Sequence, residues 1–493
     1  SRGLGDVYKR QTVPPAATAA SARLRSFLAF CAYDVGDSAF ATTILAVLYN
    51  QYFARTVAGG ETGIAILGAR IPGATLYSWL VSLSMLAVAV AGPFLGARAD
   101  LGGRRLPWLR GFSIAGIAAT IALVSVGPGQ WVRGSLLFML AYAAFAAASI
   151  FYNAILPTLG EPERLGRLSG IAWGFGYLGG AAVLLLNLAV VAAPARYGLS
   201  GTNEALRVSF AMAGVWWLLF ALPLLVSREP AIPGRAGKAG GTGTASAGAR
   251  EAIRRVRRTL GEIRRTRHIF RYLLAYLIYN DGIQTVIGTA SIFAAAELGF
   301  TTQQLIYLFL MIQGTAFVGA LAAGRIADAA GHRTTILAQL VGWVVLTAWG
   351  RWVGIFGAAR TEFWILSGLA GVLLAGVQTV SRSLLARWTP VERSAEIFGF
   401  FSVAGRFASV LGPLVFGAVA WMSGGLRPAT LSVGLFFVLG IVLLLRVDER
   451  QGERELRETA APAASAARAA PDAPAASAAP AAPGAPGAPA EGP

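Results

Sequence analysis

Charge is what this chain has least of. Only 13% of its 493 residues are Asp, Glu, Lys or Arg, against 55% apolar, and the mean hydropathy is +0.60. Soluble globular domains carry about a quarter charged residues, so this balance excludes one and makes lipid the solvent for most of the chain. A single cysteine, Cys31, excludes an intrachain disulfide. The two histidines, His268 and His332, fall at the edges of polar segments, where neither a metal site nor a histidine proton relay within the membrane is expected. There is no Gly-rich loop ending in Lys-Ser/Thr to hold a nucleotide's phosphates, so direct drive by ATP is not expected, nor is any cofactor. With no His/Cys cluster and no paired nucleophile and base, nothing points to an enzyme.

What is present is a run of apolar windows bounded by Arg, Gly and Pro. Six lie near residues 27–53, 74–97, 108–127, 134–156, 169–194 and 207–227. Six more lie near 269–296, 302–324, 334–356, 362–386, 394–421 and 427–446. The expectation is an all-α polytopic membrane protein of twelve transmembrane helices, with one six-helix bundle over 27–227 and a second over 269–446. Between them lies a polar, basic linker, 228–268: a Gly/Ala/Ser stretch to about Gly248, read as flexible, then a helix-compatible basic stretch from Arg250 to Arg267 that suits a solvated loop or anionic headgroups. Residues 1–26 form an N-terminal segment. Its first eleven residues, ending Asp6-Val7-Tyr8-Lys9-Arg10-Gln11, resemble the translated end of a sequencing adapter and are set aside. Residues 447–493 form an Ala/Pro-rich tail that reads as disordered.

The net charge of +18 does not signal nucleic acid, because the basic residues sit in short segments between apolar runs. Arg98, Arg104, Arg105, Arg110, Arg164, Arg167, Arg387, Arg393 and the arginines of 250–267 all fall on one side of the predicted topology. Short cytoplasmic loops collect such residues, so both termini are predicted to be cytoplasmic.

The two halves repeat. Gly96-Ala-Arg-Ala-Asp100-Leu-Gly-Gly103-Arg104-Arg105 matches Gly324-Arg-Ile-Ala-Asp328-Ala-Ala-Gly331-His-Arg333 at an offset of 228, and Tyr33-Asp34-Val35-Gly36 matches Tyr279-Asn280-Asp281-Gly282 at 246. The difference of 18 residues fits a longer connection over 54–73 in the first half. Two parallel six-helix repeats are the mark of a two-bundle transporter with its site near the bilayer midplane. Gly96, Asp100, Gly103, Arg104, Arg105, Gly324, Asp328, Gly331 and Arg333 read as gate motifs. Their glycines admit close helix contact, and their Asp and Arg are expected to pair across the bundle ends.

With both copies in register over residues 27–446, the chain resembles the major facilitator superfamily. Finer motifs narrow this. Tyr33-Asp34-x-x-x-Ser38-Ala39-Phe40, Tyr152-Asn153-Ala154-x-Leu156-Pro157, Gly176-Tyr177-Leu178-Gly179-Gly180, Asp281-Gly282-x-x-Thr285, Gln378-x-x-Ser381-Arg382-Ser383, Ser394-Ala395-Glu396-x-Phe398-Gly399 and Gly412-Pro413 resemble the branch of Atg22-like vacuolar effluxers and their bacterial relatives. The resemblance implies secondary transport of a small solute by alternating access, in the export direction, with amino acids the substrate class of the fungal branch and the bacterial inner membrane the location. The chain departs from that pattern at Asp37, where Asn is expected, and at Val35, where an aromatic residue is expected. A lipid-handling transporter of the same fold, and a membrane receptor or scaffold, are the competing readings.

Charges inside apolar spans are costly unless they face a cavity or a partner. Asp34 and Asp37 share a helical face with Ser38. Asp281 lies beside Asn280 and one turn from Gln284, Gln378 and Arg382 are four apart, and Arg406 follows Ser402 by one turn. The resemblance places spans one, four, seven and ten around the cavity and adds Asn153. The candidate cavity is therefore Asp34, Asp37, Asn153, Asp281, Gln284, Gln378, Arg382 and Arg406, with protons as a candidate coupling ion at Asp37 and Asp281. Glu396, near a span end beside Arg393, reads as a cap or ion-pair partner. Trp173, Trp216, Trp217, Trp343, Trp349 and Trp352 read as interface anchors.

Overall fold

The computed structural model describes residues 16–66, 68–227, 245–408 and 411–455. The adapter-like start, linker residues 228–244 and the tail from 456 onward lie outside the described residues. The first bundle comprises α1 (Ala16–Ala39), α2 (Gly73–Gly102), α3 (Leu106–Ala122), α4 (Trp131–Ile155), α5 (Leu165–Ala192) and α6 (Thr202–Leu225). A connecting helix α7 (Ala245–Arg265) leads to the second: α8 (Arg267–Leu298), α9 (Thr302–Ala330), α10 (His332–Arg351), α11 (Ala359–Trp388), α12 (Ser394–Phe407) with α13 (Leu411–Ser423), and α14 (Leu426–Leu445). Ten membrane-length segments are apolar enough to cross a bilayer by length and composition, among them Val391–Ser423, which joins α12 and α13. The remaining two members of the twelve, α8 and α10, stand in the places that the repeat assigns them.

Local chemistry sets the helix ends. Thr301 and Gln304 form a capping box at the start of α9, and Gly103 (φ 63°) and Gly299 (φ 65°) take the left-handed conformation that closes α2 and α8. The first span differs from the sequence reading. Its helix begins at Ala16 rather than Phe27 and continues past Ala39 through π-helical stretches, Phe40–Val47 and Phe53–Val57, beside the polar stripe. Single π-helical turns occur often at functional positions. The long connection that offsets the first repeat folds as a two-stranded hairpin, β1 (Ile64–Ile66) with β2 (Ala69–Ile71).

The bundles meet along two seams, α2 against α12 and α5 against α9. The approach is too close for side chains. A Cβ on Gly96 would lie 2.2 Å from the Ala395 carbonyl oxygen, and one on Gly324 would lie 2.4 Å from that of Gly166. Both contacts fall at the end of the molecule that carries the arginine-rich loops, here called the basic end.

Two segments differ from expectation there. The basic stretch is not simply solvated: α7 buries Ala252 and Val256 against Ala97 and Phe400, across the α2–α12 seam. The start of the tail is also ordered. Glu449 accepts the Arg333 backbone N–H, Glu455 that of His268 (3.2 Å), and Glu453 lies 3.9 Å from Arg387.

Candidate functional site

The gate motifs act differently from the pairing across the bundle ends expected of them. Asp100 accepts from Arg105 of its own bundle (Nε to Oδ1, 3.0 Å), while its Oδ2 accepts the backbone N–H of Glu396 (2.8 Å) in the first turn of α12. Asp328 accepts the backbone N–H groups of Gly166 (2.8 Å) and Arg167 (2.7 Å) in the first turn of α5. Each aspartate therefore caps a helix of the opposite bundle, where unpaired N–H groups and the helix dipole favour a negative charge. Arg105 reaches across to the Val391 carbonyl. Arg333 instead stays in its own bundle, on the carbonyls of Leu444 (3.0 Å) and Leu445 (2.7 Å) at the end of α14. Gly331 (φ 94°, ψ 143°) ends α9 in a different positive-φ conformation from Gly103 at the end of α2, while Arg104 lies in the turn after Gly103. A sequence signal for the capping existed: Glu163-Arg164-x-Gly166 and Glu392-Arg393-x-Ala395 are related by an offset of 229.

Around Asp100, Glu396 is fully buried. Its Oε2 lies 2.9 Å from Arg255 of α7 and 3.8 Å from Arg393, and Arg393 also contacts Glu262 (2.8 Å) and Thr259 (2.7 Å) of α7. The connecting helix is thus tied to the second bundle by charge, while its apolar face packs on both bundles at the seam.

Deeper, Arg382 crosses from α11 into the first bundle. Its Nε donates to Ser169 Oγ (2.9 Å), Nη2 to the Ser169 carbonyl (2.9 Å) and Nη1 to Asn153 Oδ1 (3.3 Å), and Nη1 lies 3.6 Å from Asp34 Oδ2. The rings of Phe30, Tyr152 and Trp173 surround the guanidinium at 5.8, 5.8 and 5.2 Å, a cation–π enclosure. Rather than reaching toward the membrane surface, the arginine is only 2% exposed. Asn153 and Arg382 are equivalent positions of the two repeats, at an offset of 229, so the node sits where the halves face one another. Ser169 and the aromatic box are absent from the sequence reading. Trp173 belongs here and not to an interface belt, and Trp217 and Trp343 are likewise core residues; Trp352 is exposed.

The other candidates divide. Asp37, one turn beyond Asp34, is buried and forms no ion pair among the described residues. Gln378 donates to Asn280 (3.0 Å), and Asn280 to the Gly405 carbonyl (3.3 Å), a chain of amides joining α11, α8 and α12, with Gln284 partly exposed one turn further along. Asp281 stands apart from this chain. It is fully enclosed, and its Oδ1 accepts the Gly412 N–H (2.9 Å) at the start of α13, so it caps that helix. Arg406 lies at the end of α12 with its guanidinium on the first bundle, donating to the Ala146 carbonyl (2.9 Å). Among the described residues no group of three or more His, Cys, Asp and Glu is placed to hold a metal ion.

Comparison with known proteins agrees with this architecture. The chain is 27% identical over 427 residues to the uncharacterized MFS-type transporter YxiO of Bacillus subtilis, covering 85% of this chain and 93% of that one. It is 26% identical over 470 residues to autophagy-related protein 22 of Yarrowia lipolytica, covering 80% and 78%. Among solved structures, the major facilitator transporter FucP in its outward conformation superposes with a TM-score of 0.64 at 14% identity, over 86% of this chain and 99% of that one. The proton:xylose symporter XylE superposes at 0.62 and 14%, over 90% and 99%. The fold is that of a major facilitator transporter, an integral membrane protein. The family model described as "Vacuole effluxer Atg22 like" matches residues 23–457, and the chain belongs to that family.

Proposed function

We propose that this protein moves a small polar solute across a bacterial cell membrane by alternating access, and that the conformation described is the one closed at the basic end. By the positive-inside rule that end and both termini are cytoplasmic, so the route is closed to the cytoplasm. The observation that carries this reading is the Arg382 node: a cation of one bundle held by three helices of the other. Such a contact has to be exchanged for another when the bundles rock. The gate caps at Asp100 and Asp328 lie between the node and the basic end and would release together.

Efflux is favoured by the family's description, and amino acids are the first cargo to test. Asp37, a buried acid in the first span with no ion pair among the described residues, is the proton-coupling candidate. Asp281 is the weaker one, because it already caps α13.

Reconstituted vesicles screened for uptake and efflux of amino acids and related solutes, with and without an imposed pH gradient, test this. A cargo should move in wild-type vesicles and fail to move with Arg382→Ala. Equal flux in the two would contradict the reading. Flux indifferent to Asp37→Asn, with no accompanying pH change, would remove the proton.

A further inference from the structure

Arg406 differs from Arg105 and Arg382, which also reach from one bundle to the other. Arg105 and Arg382 each have a carboxylate, Asp100 at 3.0 Å and Asp34 at 3.6 Å. Arg406 has none within 4 Å among the described residues. Its three described hydrogen bonds go to neutral acceptors: Nε to Ser402 Oγ (3.0 Å), Nη1 to Met85 Sδ (3.1 Å) and Nη2 to the Ala146 carbonyl (2.9 Å). A guanidinium carries five N–H groups in a planar fork, so two remain unused, and the residue is partly exposed where Arg382 is sealed.

Its depth makes this costly. Arg406 is twelve residues into α12 from Ser394, about 18 Å along the helix, roughly the middle of a 30 Å hydrocarbon core. A cation there, out of bulk water and balanced only by a hydroxyl, a thioether and a carbonyl, is one that an incoming anion would stabilise. The position is also particular to one half of the repeat: its counterpart, at an offset of 229, is Tyr177.

We propose that Arg406 is an anion-binding subsite of the transport route, selecting solutes that carry a carboxylate or a similar oxyanion, and that the bound anion takes the guanidinium from Ala146 and Met85. This rests on the transporter reading and deepens it. Those two residues belong to α4 and α2 of the first bundle, so exchanging them for a charged ligand cuts a cross-bundle tie at mid-depth. Arrival of the solute's anionic group would then weaken the contact that holds α12 against the first bundle, which links binding to the rocking motion.

The test does not require the cargo to be known. Ser402→Cys places a thiol beside the guanidinium; the native Cys31, which is buried, is replaced by alanine in every sample. The full chain in vesicles is treated in separate samples with sulfonatoethyl and trimethylammonioethyl methanethiosulfonates, and the ratio of the two reaction rates is measured. Any effect of the arginine on thiol ionisation cancels in that ratio. The sulfonate should be favoured, and the ratio should fall at least about tenfold when Arg406→Gln is added, with Arg406→Lys retaining part of the preference. A ratio that changes less than twofold, or a thiol that neither reagent reaches, overturns the proposal. Transport with an unchanged ratio would overturn the subsite alone. An Arg406-dependent ratio in a protein that moves no solute would count against the transporter reading and leave the subsite standing.

Discussion

Removing the Asp328 carboxylate should open the basic end. Asp328 accepts two backbone N–H groups of α5 at 2.8 and 2.7 Å, and His332 Nε2 lies 3.9 Å away. Hydrogen bonds to a charged group contribute about 1.5–3 kcal/mol each, and loss of a helix cap costs about 0.5–2 kcal/mol. The side chain is largely screened from water, but in the open form the freed N–H groups regain solvent. A net loss of about 2–3 kcal/mol from the closed conformation is therefore reasonable for Asp328→Ala, and at about 1.4 kcal/mol per factor of ten this shifts the equilibrium roughly 30- to 150-fold. Asp328→Asn keeps an acceptor oxygen and loses the charge, so its shift should be several-fold smaller. Spin labels on Arg164→Cys and Ala329→Cys, both exposed positions flanking the α5–α9 seam, report the separation directly. The expected result is a second, longer distance that is large in Asp328→Ala and smaller in Asp328→Asn. An unchanged distribution in a folded Asp328→Ala protein would refute the capping argument.

Two further outcomes follow from the same contacts. A Cβ on Gly412 would lie 1.9 Å from Thr285 Oγ1 and 2.8 Å from Asp281 Oδ1, so Gly412→Ala should lower thermal stability by about 1–3 kcal/mol, and adding Thr285→Ala should recover part of the loss. Loss of Arg255 leaves buried Glu396 with Arg393 alone, at 3.8 Å. Arg255→Ala should therefore lengthen the distance between labels on α2 and α12 at the basic end, and adding Glu396→Gln should recover part of the change, since the amide leaves no under-compensated buried charge.

Much of this architecture is legible from the residues alone, and the reasons are specific. Apolar runs of spanning length have one good solution in lipid, and the Gly-x-x-x-Asp repeat at a constant offset fixes how the two halves correspond. Asp34 and Arg382 were reachable because charges in such runs demand partners, and Asn153 through the family resemblance. Ser169, the other partner of Arg382, was not, since a serine in an apolar helix is unremarkable until a guanidinium is seen on it. Asp281 shows the limit of arguing from depth: an acid that lines a cavity and an acid that caps a helix start look alike in one dimension. The role of α7 was hidden for a similar reason. Its arginines signal topology whether or not the opposite face, Ala252 and Val256, has a surface to dock on. The tryptophans misled because ring size alone does not say whether a residue faces headgroups or a neighbouring helix.

Alternating access requires the two ends of the molecule to move reciprocally, and that is measurable without a substrate. One label pair spans the α5–α9 seam at the basic end; a second joins the outer end of the first span to that of α8, for example at Gln51 and Ile292, both exposed. With Asp328→Ala and Asp100→Ala combined, the basic-end distance should lengthen and the outer distance should shorten in the same molecules. If the basic end opens while the outer distance stays fixed, or both distances lengthen together, the two bundles do not rock about the Arg382 node and the account is wrong.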